Sequence, residues 1–140
     1  MIITDIEKKE ITERLRKFGE RREDILAVYI FGSFLTSSAP EDIDIAVLLR
    51  RVAGADAFVH QRQILHDVYE STQLEPVDIV LLRTADPIIQ MQVLRYGKLL
   101  YVRNQKLLDE FVIKICGSYY DLKKIREPIE REILNGRIYA

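Results

Sequence analysis

The chain of 140 residues is poor in the residue types that build covalent or metal cross-links: it has one cysteine, Cys116, and two histidines, His60 and His66. A lone cysteine excludes an internal disulfide and a cysteine-rich zinc site, and leaves Cys116 as a small apolar side chain for a core. The histidines stand too far around a predicted helix to share a face, which excludes them as a metal pair. An excess of one charge is also lacking, since 21 Lys and Arg oppose 22 Asp and Glu. Without a cationic surplus there is no global footprint for nucleic acid, so any polyanion must be met locally. No apolar run approaches the roughly 20 residues that span a bilayer, and the opening MIITDIEKKEITERL alternates acids and bases, unlike a signal peptide. A cytoplasmic protein is therefore expected. There is no internal repeat, linker or low-complexity tract.

What is present is a 48% apolar chain, enough for one core of ordinary size. Ile6, Ile11, Leu15 and Phe18 recur at helical spacing, predicting a helix over residues 4–23 with Thr4 or Asp5 as its cap. ILAVYIF, residues 25–31, reads as a buried strand, and residues 43–49 as a second. The segment between them offers one helical turn and then a loop. A helix is predicted over residues 55–70, a strand over 77–82 after Pro76, and a helix between Pro87 and Gly97. A short strand over 99–102 follows. From Asn104 onward an apolar stripe predicts a long helix that Pro128 ends or kinks, with Tyr119 and Tyr120 expected in the core. The result is an α/β or α+β fold, a mixed three- to four-stranded sheet flanked by helices. Residues 1–103 form one domain that includes the N-terminal helix. Residues 104–140 form a helical extension that packs on that domain or on a partner.

FGSFLTSSAPEDIDIAV, residues 31–47, carries the chemistry. Successive strand side chains point to opposite faces, so Asp42 and Asp44 share one side while Ile43, Ile45 and Val47 take the other. Two carboxylates about 4 Å apart repel by roughly 4 kcal/mol at an effective dielectric near 20. A divalent cation removes that penalty, and hard oxygen ligands that leave room for water and phosphate suit Mg²⁺. Asp78, in VDIVLL on another predicted strand, is placed to join the pair. Three acids make a two-metal site for in-line phosphoryl transfer. Gly32 at a strand end lets the main chain approach a phosphate closely, and the Ser33 hydroxyl can bind its oxygens. Taken singly, each has a bland reading: Gly32-Ser33 as an ordinary turn, Asp42 as a cap, Asp44 as an ion-pair partner.

Gly32-Ser33, the eight-residue spacer, Asp42-x-Asp44 and the later Asp78 together resemble the minimal nucleotidyltransferase (MNT) family of the DNA polymerase beta superfamily, over residues 25–102. The resemblance implies the nucleotidyltransferase fold and transfer of AMP from ATP to an acceptor. It implies that Gly32 and Ser33 hold the triphosphate, that Asp42 and Asp44 bind both of two Mg²⁺ ions, and that Asp78 binds the catalytic ion and helps activate the acceptor hydroxyl. Minimal members occur as antitoxins in HEPN/MNT toxin-antitoxin systems. The implied acceptor and complex partner is then a tyrosine of a cognate HEPN RNase toxin, in a homo- or hetero-oligomer. Two alternatives stay open: a nucleotidyltransferase acting on an aminoglycoside-like small molecule, and a non-catalytic binding module that blocks a toxin sterically. Tailing of nucleic acid is disfavoured, because little chain remains outside the core and no basic stripe is present.

Overall fold

Short apolar strands need cover on both faces, and the helices supply it. The computed structural model describes residues 2–50, 57–74, 76–119 and 123–134. In chain order the elements are α1 (Asp5–Arg21), β1 (Ile25–Phe31), α2 (Ser33–Thr36), β2 (Ile43–Leu49), α3 (Ala57–Thr72), β3 (Val77–Leu81), a 3-10 turn (Leu82–Thr84), α4 (Pro87–Tyr96), β4 (Lys98–Val102), α5 (Gln105–Tyr119) and α6 (Lys123–Leu134). The sheet order is β3-β2-β1-β4. β1 runs antiparallel to β2 and β4, whereas β2 and β3 are parallel and joined through α3. This is the mixed α+β sheet expected from the sequence, with all four strands present.

Local chemistry sets the helix ends. The Thr4 hydroxyl accepts a hydrogen bond from the Glu7 amide and caps α1, and the Asp86 carboxylate accepts from the Ile88 amide ahead of Pro87. Gly97 ends α4 with φ −72°, so no left-handed turn is involved. The glycine serves close approach instead: a Cβ there would press on the carbonyls of Val93 and Ile30.

The period-2 alternation of the strands divides the core in two. Ile43, Ile45, Val47 and Leu49 of β2 and Val77, Ile79 and Leu81 of β3 join Leu15 and Phe18 of α1 and Ile64 and Val68 of α3 on one face. Ala46 and Leu48 face the other way, with Met91, Val93 and Leu94 of α4, Leu108, Phe111 and Val112 of α5, and Ile133 of α6. Cys116 is fully buried in this second cluster. Helices α5 and α6 thus cover one face of the sheet.

The C-terminal stretch differs from the single long helix expected. It forms two helices, α5 and α6, and of the two roles expected for Pro128, ending the helix or kinking it, the first does not hold, because Pro128 lies inside α6. A proline costs a helix one hydrogen bond, and tertiary packing can hold the helix nonetheless. Here Ile129, Ile133 and Leu134 pack into the second cluster just beyond it. The positions expected for Tyr119 and Tyr120 fall outside the described side chains. His60 lies with its Nε2 3.7 Å from an Asp24 carboxylate oxygen, and His66 is exposed on α3.

Candidate active site

The end of the sheet where β1 runs out and β2 and β3 begin gathers the residues singled out in the sequence. Phe31, the last residue of β1, pairs with Asp44 of β2. Asp44 in turn stands in parallel register with Asp78 of β3. Their strand neighbours Ile43, Ile45, Val77 and Ile79 all enter the first core cluster, so both aspartates project from the opposite face. Asp42 precedes β2 and is half-buried, as is Asp44, while Asp78 is exposed.

Gly32 turns the chain out of β1 with φ +76° and ψ −153°. That region is open essentially to glycine alone. There is a second reason for glycine: a Cβ at this position would overlap Oδ2 of Asp44. The main chain therefore lies directly against the central carboxylate, and Ser33 opens the short helix α2 beside it.

Burial, followed by the charges of Asp78 and then Asp42, pushes the Asp44 carboxyl above its ordinary value. The three acids thus share one field. Among the described residues they do not close into a cage of three carboxylates at metal-ligand spacing. All donors are carboxylate oxygens, the hard ligands that suit Mg²⁺, and one of them carries an uncompensated like-charge penalty. The donor set fits a divalent cation.

The spacer is held from outside. The Lys8 ammonium on α1 donates to the carbonyls of Phe34 at 2.6 Å and Ser37 at 2.7 Å, and stands 5.2 Å from the centre of the Phe34 ring. It fixes the C-terminal end of α2 and hence the turn that carries Ser33. Sequence reading missed this role, because a lysine that reaches across to another element leaves no local signal.

The sequence model of the polymerase beta, nucleotidyltransferase family matches residues 13–106, which contain Gly32, Ser33, Asp42, Asp44 and Asp78. The chain belongs to this family. The resemblance read from the motif is thereby borne out, and so is the nucleotidyltransferase fold. Among solved structures, this nucleotidyltransferase is similar to one of a tri-AMPylated Shewanella oneidensis HEPN toxin in complex with MNT antitoxin, with 24% identity, a TM-score of 0.62 and coverage of 91% of this chain and 98% of that one. A toxin-antitoxin structure with AMP-PNP matches at 26% identity and TM-score 0.60, covering 91% and 98% of the two chains. The toxin-antitoxin MntA-HepT matches at 24% identity and TM-score 0.57, over 94% and 99%. No curated protein matches the chain. Among the described residues no helix is long and apolar enough to cross a membrane.

The raised Asp44 pKa has a measurable consequence for this nucleotidyltransferase. A group whose folded pKa exceeds its unfolded value destabilises the fold when ionised, fully above the folded pKa and not at all below the ordinary value of 3.8. In chelator at neutral pH, Asp44→Asn is therefore expected to raise Tm by about a few degrees. The gap to wild type should close as pH falls towards that ordinary value. Mg²⁺ should raise the wild-type Tm and leave the variant unmoved. A variant less stable than wild type in chelator would contradict the assignment; differential scanning fluorimetry across pH decides it.

Proposed function

We propose that the protein is a Mg²⁺-dependent nucleotidyltransferase that transfers AMP from ATP to a tyrosine hydroxyl of a cognate HEPN RNase toxin in the cytoplasm, and so acts as its antitoxin. The observation that carries the reading is the parallel register of Asp44 with Asp78 beside the main chain of Gly32. Family membership supports the reaction class. The similar structures, one with a tri-AMPylated toxin and one with AMP-PNP, support the donor and the acceptor.

In this reading Asp42 and Asp44 hold two Mg²⁺ ions and Asp78 contributes to the catalytic one. The bound ions would supply charge neutralisation and polarisation of the transferred phosphate. Gly32 lets the main chain approach the triphosphate, and the Ser33 hydroxyl donates to a phosphate oxygen. Asp78 helps take the proton of the acceptor hydroxyl as the acceptor oxygen bonds to the α-phosphorus. The bond from that phosphorus to the oxygen bridging to the β-phosphate breaks, and pyrophosphate leaves. Incubating the protein with ATP labelled in the α-phosphate, Mg²⁺ and a co-purifying HEPN toxin should place label on the toxin and silence its RNase activity. Label on a small-molecule hydroxyl with none on the toxin would favour the small-molecule alternative. Silencing by Asp42→Asn/Asp44→Asn without any label would favour the steric one.

A further inference from the structure

The segment between Ser33 and Asp42 links the Gly32-Ser33 turn to the acids, and its helix, α2, is a single turn. One turn is not stable by itself, because nucleating a helix fixes several residues for one hydrogen bond. Within it the Leu35 amide donates to the Gly32 carbonyl at 3.1 Å, and the Ser37 amide to the Ser33 carbonyl at 2.8 Å. The carbonyls that follow have no later helical amide to accept from and need donors from elsewhere. The N-terminal part of the chain supplies them. Lys8 Nζ donates to the carbonyls of Phe34 at 2.6 Å and Ser37 at 2.7 Å, and the Ile3 amide donates to that of Ser38 at 2.7 Å.

Lys8 is itself held in place. Its amide donates to the Thr4 carbonyl at 2.9 Å, its carbonyl accepts from the Thr12 hydroxyl at 2.8 Å, and its ammonium stands 5.2 Å from the centre of the buried Phe34 ring. An ammonium bonded to two carbonyls is a strong, charge-assisted tie. The tie reaches Ser33 through two hydrogen bonds, Lys8 to Ser37 and Ser37 to Ser33, and Gly32, one residue earlier, lies against the Asp44 carboxylate. Asp44 and Asp78 depend on it less, because the register of β2 with β3 holds them.

We infer that Lys8 is a positioning residue for the nucleoside triphosphate: without touching substrate, its ammonium sets where the Gly32 main chain and the Ser33 hydroxyl meet the phosphates. This inference rests on the nucleotidyl-transfer reading above. Two other roles leave different traces. A purely structural tie would lower stability and leave ligand affinity unaltered. A cation acting through its field alone would be matched by its neighbour Lys9, which lines the same cavity of about 600 Å³, with Lys8, Thr12 and Phe34, but makes neither contact to the α2 carbonyls. That cavity also leaves room for a guanidinium at position 8.

Titration of the full-length protein with AMP-PNP in Mg²⁺, at low and high salt, separates these roles when read beside amide hydrogen exchange for wild type, Lys8→Met, Lys8→Arg and Lys9→Met. Lys8→Met is expected to weaken AMP-PNP about 10-fold at both salt concentrations, on the scale of a charge-assisted hydrogen bond. The amides of Leu35 and Ser37 should exchange faster in that variant. Lys8→Arg should lie between Lys8→Met and wild type in affinity and in exchange alike, so the test stands even where Lys8→Met does not fold. Lys9→Met should match wild type in both. If folded Lys8→Met binds AMP-PNP as tightly as wild type, even at a lower Tm, the inference is overturned while nucleotidyl transfer stands. An equal loss in Lys9→Met, fading at high salt, would assign the effect to charge alone and overturn it as well. If wild type itself does not bind AMP-PNP, the functional reading fails and this inference fails with it.

Discussion

Asp44→Asn is expected to reduce AMP transfer by about 1,000-fold or more while leaving a folded protein. Metal ions in such a site supply several kcal/mol of charge stabilisation in the transition state, and each 1.36 kcal/mol is about a factor of ten in rate. Asp44 is the central acid of the trio, cross-strand from Asp78 and two residues from Asp42, so losing its charge removes the ligand common to both proposed ions. The same substitution relieves the like-charge repulsion, so activity and stability should move in opposite directions. That opposition separates a catalytic role from a structural one. An ion-pair or capping aspartate would lose stability on neutralisation and leave the rate near wild type. Initial rates with α-labelled ATP, with Tm measured in chelator on the same preparation, test both at once. Retained transfer in Asp44→Asn would remove Asp44 from the proposed site.

The second large effect is expected at Gly32. Alanine there meets two obstacles of different origin. The backbone occupies a region at positive φ that costs a side chain about 1–3 kcal/mol, and the added Cβ overlaps the Asp44 carboxylate. Gly32→Ala should lower stability by at least that strain, and displacement of Asp44 should cost about 100-fold in rate, the scale expected of a misplacement near 1 Å. The two obstacles can be told apart. Truncating Asp44 to alanine removes the overlapping oxygen and leaves the backbone strain, so Gly32→Ala should destabilise the Asp44→Ala background less than wild type. A double-mutant cycle by urea denaturation measures the coupling, and additive effects would show that Gly32 and Asp44 do not touch.

The sequence made the strands legible because each signal is local. ILAVYIF and IDIAVLL are apolar runs of strand formers, and the observed β1 and β2 span the residues predicted for them. Pro87 and Gly97 likewise bracketed α4, because proline fits a helix start and glycine marks its stop. The C-terminal helices were misread for the same reason. A continuous apolar stripe does not reveal where two helices separate, and the penalty of Pro128 inside α6 is outweighed by packing that only the tertiary fold supplies.

From sequence alone came the face of β2 on which Asp44 stands, opposite Ile43 and Ile45, since alternation along a single strand is fixed by backbone geometry, and the motif that marks the family. Asp42 lies just before the strand, where alternation no longer sets its direction. The tertiary structure decided the rest. It set the register that stands Asp78 opposite Asp44, pressed Gly32 against that carboxylate and reached Lys8 across to α2. Those relations join segments far apart in the chain, and they depend on how α3 returns the chain to a parallel strand and how two cores pack against one sheet. No local pattern of residues encodes that distance.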